Sequence, residues 1–193
     1  MANDRVCFVP WNQANAPVFQ AEIAQNNTNR PNTHHKRNWT PVFLDDPHPN
    51  GVIGNMGSGW GTRLHIFGHG GPGDPNISNE DGQTLDAAGL VNALVAHGFK
   101  KYYTGTVVID VCGSALGTPG HPPFAKLLAR ELWQRGYKLC CVMGFKGDLG
   151  AVYEDLNNYA GQAGHQYDHR VVDLPGGQTV KSKDAKERFF GFG

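Results

Sequence analysis

The sequence predicts an α/β domain with a mostly parallel central sheet flanked by helices. Five short runs rich in β-branched and aromatic residues, at 5–9, 39–44, 62–67, 106–111 and 137–143, read as strands. Two segments between them, "TLDAAGLVNALVAHGF" and "PPFAKLLARELWQRGY", carry helical periodicity. Strands alternating with helices form βαβ units, and such crossovers join parallel strands. The 193 residues suffice for one well-filled core, so residues 1–193 are expected to form a single domain.

In the first helical segment Leu85, Leu90, Leu94 and Val95 share a face, and Gly98 supplies a C-terminal stop. In the second, Phe124, Leu127, Leu128 and Leu132 do the same, after prolines suited to a first turn and before Gly136. A third helix is expected over 16–25. Residues 26–38, "NNTNRPNTHHKRN", are polar and aperiodic, and 46–61 is dense in glycine and turn signals, so both read as loops. The stretch 161–193 reads as a loop, a hairpin around "RVVDLPGGQTV", and a charged, aromatic tail.

Lys+Arg and Asp+Glu number 17 each, so the formal net charge is zero. An electrostatic binder of nucleic acid or of a membrane surface needs a basic excess, and neither partner is expected. No apolar run approaches the ~18 residues of a membrane span. The opening "MANDRVCF" lacks a signal-peptide core. The expectation is a cytoplasmic protein, while delivery as an effector through a dedicated secretion machine leaves no mark in the sequence. The four cysteines lack the spacing of a zinc ribbon or a disulfide framework. Cys7, Cys140 and Cys141 sit in apolar runs and read as core thiols.

Cys112 differs. In "TVVIDVCGSALGTPG" the apolar run closes on Asp110 and Cys112 and passes directly into glycine, serine and proline. "RLHIFGHGGPGD" has the same grammar, with His69 followed by Gly70 and Gly71. In open α/β sheets functional groups gather beyond the carboxyl ends of the strands. Two strands joined by one helical crossover are commonly neighbours, so His69 and Cys112 are expected to flank one cleft. A thiolate is a strong nucleophile, and an imidazole can take its proton and protonate a leaving amine. Glycine amides beside them suit an oxyanion. On a strand Asp110 and Cys112 point to one face. Two negative charges about 7 Å apart repel by roughly 2 kcal/mol at an effective dielectric of ~20, so Asp110 suits a receptor for a cation (an internal Arg or Lys or the substrate's own) or a cap on a loop amide better than an activator.

"HIFGHGG" and "VVIDVCGSA" resemble the two blocks of the caspase, metacaspase and legumain superfamily, the clan CD cysteine peptidases. "CCVMGFKG" is similar to the strand and loop that follow the nucleophile's helix there. The resemblance covers about residues 60–147 and departs from the metacaspase pattern at Gly113, where a histidine is common. It implies a caspase–hemoglobinase-like fold, His69 as general acid/base, and Cys112 as nucleophile. The amides of Gly70 and Cys112 would form the oxyanion hole, and Asp110 would bind an Arg or Lys preceding the cut bond. The partner implied is a protein or peptide substrate, with no cofactor and no metal needed for the chemistry. Related peptidases often clip themselves at such polar loops, which makes Arg30, Lys36 and Arg37 in the 26–38 segment the candidate positions for self-processing rather than an expected property.

Other chemistries share these residues. "GHGGPGD" also resembles the oxyanion loop of α/β-hydrolases, a family whose G-x-S-x-G elbow is missing around Ser114. A Cys-His deamidase or acyltransferase uses the same acyl-thioester, and an inactive interaction module keeps only the fold. His65 with His69, and His165 with His169 and Asp168, are better read as non-ligands: the apolar run sets the first pair on a strand, where the spacing fails, and the second falls among loop residues.

Overall fold

The computed structural model describes residues 5–28, 39–46, 51–149 and 171–192. All five expected strands form, as β1 (Arg5–Val9), β2 (Thr40–Phe43), β3 (Arg63–Phe67), β6 (Thr106–Asp110) and β7 (Cys141–Phe145). They pair in parallel in the order β2-β1-β3-β6-β7. A sixth strand, β11 (Lys186–Phe189), closes the β7 edge in antiparallel register. The three expected helices are α1 (Pro17–Thr28), α2 (Ala87–Ala96) and α3 (Phe124–Gln134). Among the described residues no helix is long and apolar enough to cross a membrane.

Side-chain alternation divides the sheet into two faces. Leu64, Ile66, Val107, Ile109 and Val142 belong to the large apolar core, with Leu90, Leu94, Leu128 and Leu132 of α2 and α3. Gly144 lies on this face too, where an added Cβ would come within 2.9 Å of Ala125 Cβ in α3. The opposite face carries His65, Phe67, Val108, Asp110 and Phe145. There Phe67 meets Phe19 of α1, and Val108 and Phe145 pack with Val172. Val172 belongs to a small antiparallel sheet of β8 (Asp148–Leu149), β9 (Val171–Leu174) and β10 (Gln178–Lys181). The hairpin foreseen near "RVVDLPGGQTV" is β9–β10.

Three features depart from expectation. The strand expected at 137–143 begins at Cys141, because Gly136 ends α3 with φ 91° and Tyr137 then plugs the core. The Tyr137 amide donates to Leu132 O and its ring stacks on Phe99. The tail read as ambiguous supplies β11, whose alternating "KERF" signal is too short to distinguish from a loop. A further hairpin, β4 (Asn76–Ser78) with β5 (Thr84–Asp86), follows β3. It orients α1, because Glu80 Oε1 accepts from the Val18 and Phe19 amides at that helix's first turn. Asp86 caps α2 by accepting from the Gly89 amide.

Leu128 is fully buried between α3 and the sheet. Leu128→Ala is expected to lower the unfolding free energy by about 2–5 kcal/mol in denaturant titration. A loss below ~1 kcal/mol would mean that this face is not packed as described.

Candidate functional site

The register of two neighbouring strands builds the site. β3 pairs in parallel with β6 through Phe67↔Asp110. His69 and Cys112 each lie two residues beyond that last pair, so both leave adjacent strand ends on the α1 side of the sheet. The loops that follow are in direct contact. A Cβ on Gly70 would meet Val111 Cγ1 at 2.8 Å, and one on Gly113 would meet Pro72 Cδ at 2.7 Å. Gly113 also has φ 63°, a left-handed conformation that favours glycine. A larger side chain at this position has neither room nor a suitable backbone. The Gly73 amide bonds to Leu116 O and ties the two loops once more.

His69 is exposed at its ring and anchored at its backbone. Its amide and carbonyl form a two-bond bridge with Ser78 of β4. The ring leans on Phe19, with centroids 4.8 Å apart, and Phe19 is itself stacked on Trp11. Glu80 fixes the first turn of α1, so the hairpin holds both sides of the imidazole's setting. Both ring nitrogens remain open to a substrate or to the thiol, because no described residue hydrogen-bonds to them.

Cys112 is half-buried, and its Sγ accepts a hydrogen bond from the Leu149 amide at 3.3 Å. Amide donors favour a sulfur that carries negative charge. This donor was not foreseen from the sequence. It comes from β8, just past the "CCVMGFKG" block, and only the folded chain brings it back to Cys112. The Gly113 amide donates to Gly147 O in the same loop. Among the described residues the Gly70 and Cys112 amides have no acceptor, which leaves both available to an oxyanion.

Ser114 faces inward. Its hydroxyl donates to Ile109 O and accepts from the Phe145 amide, and the residue is buried. It links β6 to β7 and is not placed as the nucleophile of an α/β-hydrolase elbow.

Asp110 differs from expectation in its surroundings. It is 6% exposed, and His65 Nδ1 lies 2.5 Å from its Oδ2. An internal imidazole therefore already occupies the carboxylate expected to receive a cation. His65 stacks on Trp39, and burial holds its pKa below the ordinary value although Asp110 pulls it upward. Lys186 and Arg63 add smaller downward pushes. His65 and His69 stand four residues apart along a strand direction, about 13 Å, too far to share a metal. Among the described residues no cluster of three or more His, Cys, Asp or Glu is placed to hold one. His165, Asp168, His169, Arg30, Lys36 and Arg37 lie outside the described residues.

The remaining thiols are core groups. Cys7, Cys140 and Cys141 are buried, and burial with the neighbouring Cys141 pushes the Cys140 thiol up to about 12.

No protein-family model matches the chain, and no curated protein matches it.

The lowered His65 pKa sets a pH dependence. As pH falls below about 6.5 the unfolded chain takes up a proton at His65 that the folded chain refuses, and stability falls with it. Stability measured by denaturant titration should therefore drop from pH 7 towards pH 5, and His65→Gln should flatten that part of the slope. An unchanged slope in the variant would show that His65 does not titrate between the two states.

Proposed function

We propose that the protein is a cysteine endopeptidase of the clan CD type, acting on a protein or peptide substrate through Cys112 and His69. The observation that supports this is the β3–β6 register, which brings together the two strand ends from which His69 and Cys112 follow. The sheet order and the antiparallel β11 edge are compatible with the caspase–hemoglobinase-like fold that the motifs resemble.

The chemistry follows from the positions. Cys112 Sγ attacks the scissile carbonyl carbon, and the thiol proton passes to His69. The negative charge that develops on the carbonyl oxygen is received by the Gly70 and Cys112 amides. Collapse of the tetrahedral intermediate breaks the C–N bond, and His69 returns the proton to the leaving amine. Water, deprotonated by His69, then attacks the thioester, releases the acid and restores the thiol. These steps use the chain's own groups throughout. The Leu149 amide steadies the sulfur between turnovers.

The His65–Asp110 hydrogen bond weighs against Asp110 as the direct receptor for a substrate's Arg or Lys. A basic side chain would have to displace His65 from a buried carboxylate. Asp110→Asn separates the two roles: a receptor loses efficiency on basic substrates alone, whereas a buried structural partner loses stability and affects all substrates equally.

The dyad is tested with a mixed peptide library read by mass spectrometry. Cys112→Ala should abolish cleavage while the melting temperature holds. His69→Ala should cost about 100- to 10,000-fold in kcat. His65→Ala should act through stability. Undiminished cleavage by Cys112→Ala would overturn the assignment.

A further inference from the structure

The end of the sheet opposite Cys112 carries an aromatic and basic surface that the Cys-His site does not use. All five parallel strands begin at this end, α2 and α3 finish there, and the antiparallel β11 delivers the tail to it. Trp60 is 85% exposed on the turn before β3, Tyr102 60% before β6, Leu139 60% before β7, and Phe192 71% after β11. Apolar side chains this exposed, concentrated at one end of a molecule, mark an interaction surface.

Direct contacts join them into one patch. Ser58, on the Trp60 turn, donates from its hydroxyl to Tyr102 O. Lys101, beside Tyr102, lies 3.9 Å from where a Cβ on Gly136 would stand. Lys138 sits over the Trp133 ring at 5.2 Å, and Trp133 meets Phe192 at 5.3 Å. Phe190 stacks on Phe192 at the outer edge.

The described turns before β3, β6 and β7 are one-sided in charge although the chain as a whole is neutral. Segments 57–63, 97–105 and 135–140 contain Arg63, Lys100, Lys101, Arg135 and Lys138 and no Asp or Glu. Arg135 is paired with Glu131. Lys100, Lys101 and Lys138 form no ion pair with any described residue. They stand at least four residues past α2 and α3, beyond the last turn in which a helix dipole acts.

We propose that this end of the sheet docks on an anionic lipid surface. Trp60 makes no hydrogen bond or ring contact with any described residue, and Gly59 and Gly61 flank it. A protein partner needs a preorganised anchor in a matching pocket, whereas a bilayer interface accepts a protruding Trp or Phe as it stands. Lysines interleaved with such rings reach the phosphates and acidic headgroups. Even net charge excluded such a surface on composition alone, but the distribution of the charge supplies it. Docked this way, the protein would hold the His69 and Cys112 end away from the bilayer and open to soluble substrates.

Co-sedimentation of the full chain with vesicles tests the proposal. The protein should pellet with phosphatidylcholine vesicles containing phosphatidylserine and remain in solution with phosphatidylcholine alone. Lys100→Glu, Lys101→Glu and Lys138→Glu combined should weaken partitioning by at least about tenfold, with an unchanged melting temperature. Trp60→Ser should also weaken it, while Cys112→Ala should not. The proposal is overturned if the wild-type protein stays in solution with both vesicles, or if the charge-reversed variant binds as well as wild type. Capture of polyglutamate without binding to the acidic vesicles would also overturn it, and would assign the face to an acidic protein.

Discussion

The parallel register between β3 and β6 is the constraint on which the site depends. Side chains alternate along each strand, so a slip of one residue would turn either His69 or Cys112 to the other face of the sheet. With Phe67 opposite Asp110, both emerge on the side covered by α1 and the small sheet. Two close approaches hold this register at its end. Gly113 lies against Pro72, and Gly70 lies against Val111, with no room for a Cβ at either glycine. The glycines that follow each motif therefore serve packing between two loops as well as access to backbone amides.

Around this pair the fold uses polar groups as fasteners. Ser114 joins β6 to β7 by accepting from Phe145 and donating to Ile109. His65 and Asp110 join β3 to β6 one layer below the site. A buried carboxylate left alone would be costly, and the neutral imidazole donates the hydrogen bond that it needs. The same contact that secures the strand ends is thus the one that makes Asp110 a poor free receptor. Glu80 and Ser78 act from the β4–β5 hairpin, one on α1 and one on the His69 backbone.

Much of this was legible along the chain. The five parallel strands and three helices follow from periodicity, and the strand-end positions of His69 and Cys112 follow from where the apolar runs stop. What stayed hidden depends on contacts across long separations. His65 and Asp110 are 45 positions apart, and Leu149 lies 37 positions beyond the sulfur it touches. The β4 and β5 strands have three residues each, too few for a periodic signal. In β11 the sequence "KERF" alternates charge with bulk as a solvated turn can also do. Net charge likewise conceals polarity: equal totals of acid and base say nothing of turns at one sheet end that carry Arg63, Lys100, Lys101 and Lys138 without an acidic neighbour in the same turn.

The proposed peptidase reading requires that Cys112 react as a nucleophile in the folded chain. Its most direct test compares iodoacetamide alkylation of each cysteine in the native and urea-unfolded chain, resolved by peptide mass spectrometry. An activated Cys112 should react faster folded than unfolded, while Cys7, Cys140 and Cys141 react only after unfolding. Cys112 reacting no faster in the native protein than in urea would contradict a catalytic role and leave a fold without the chemistry.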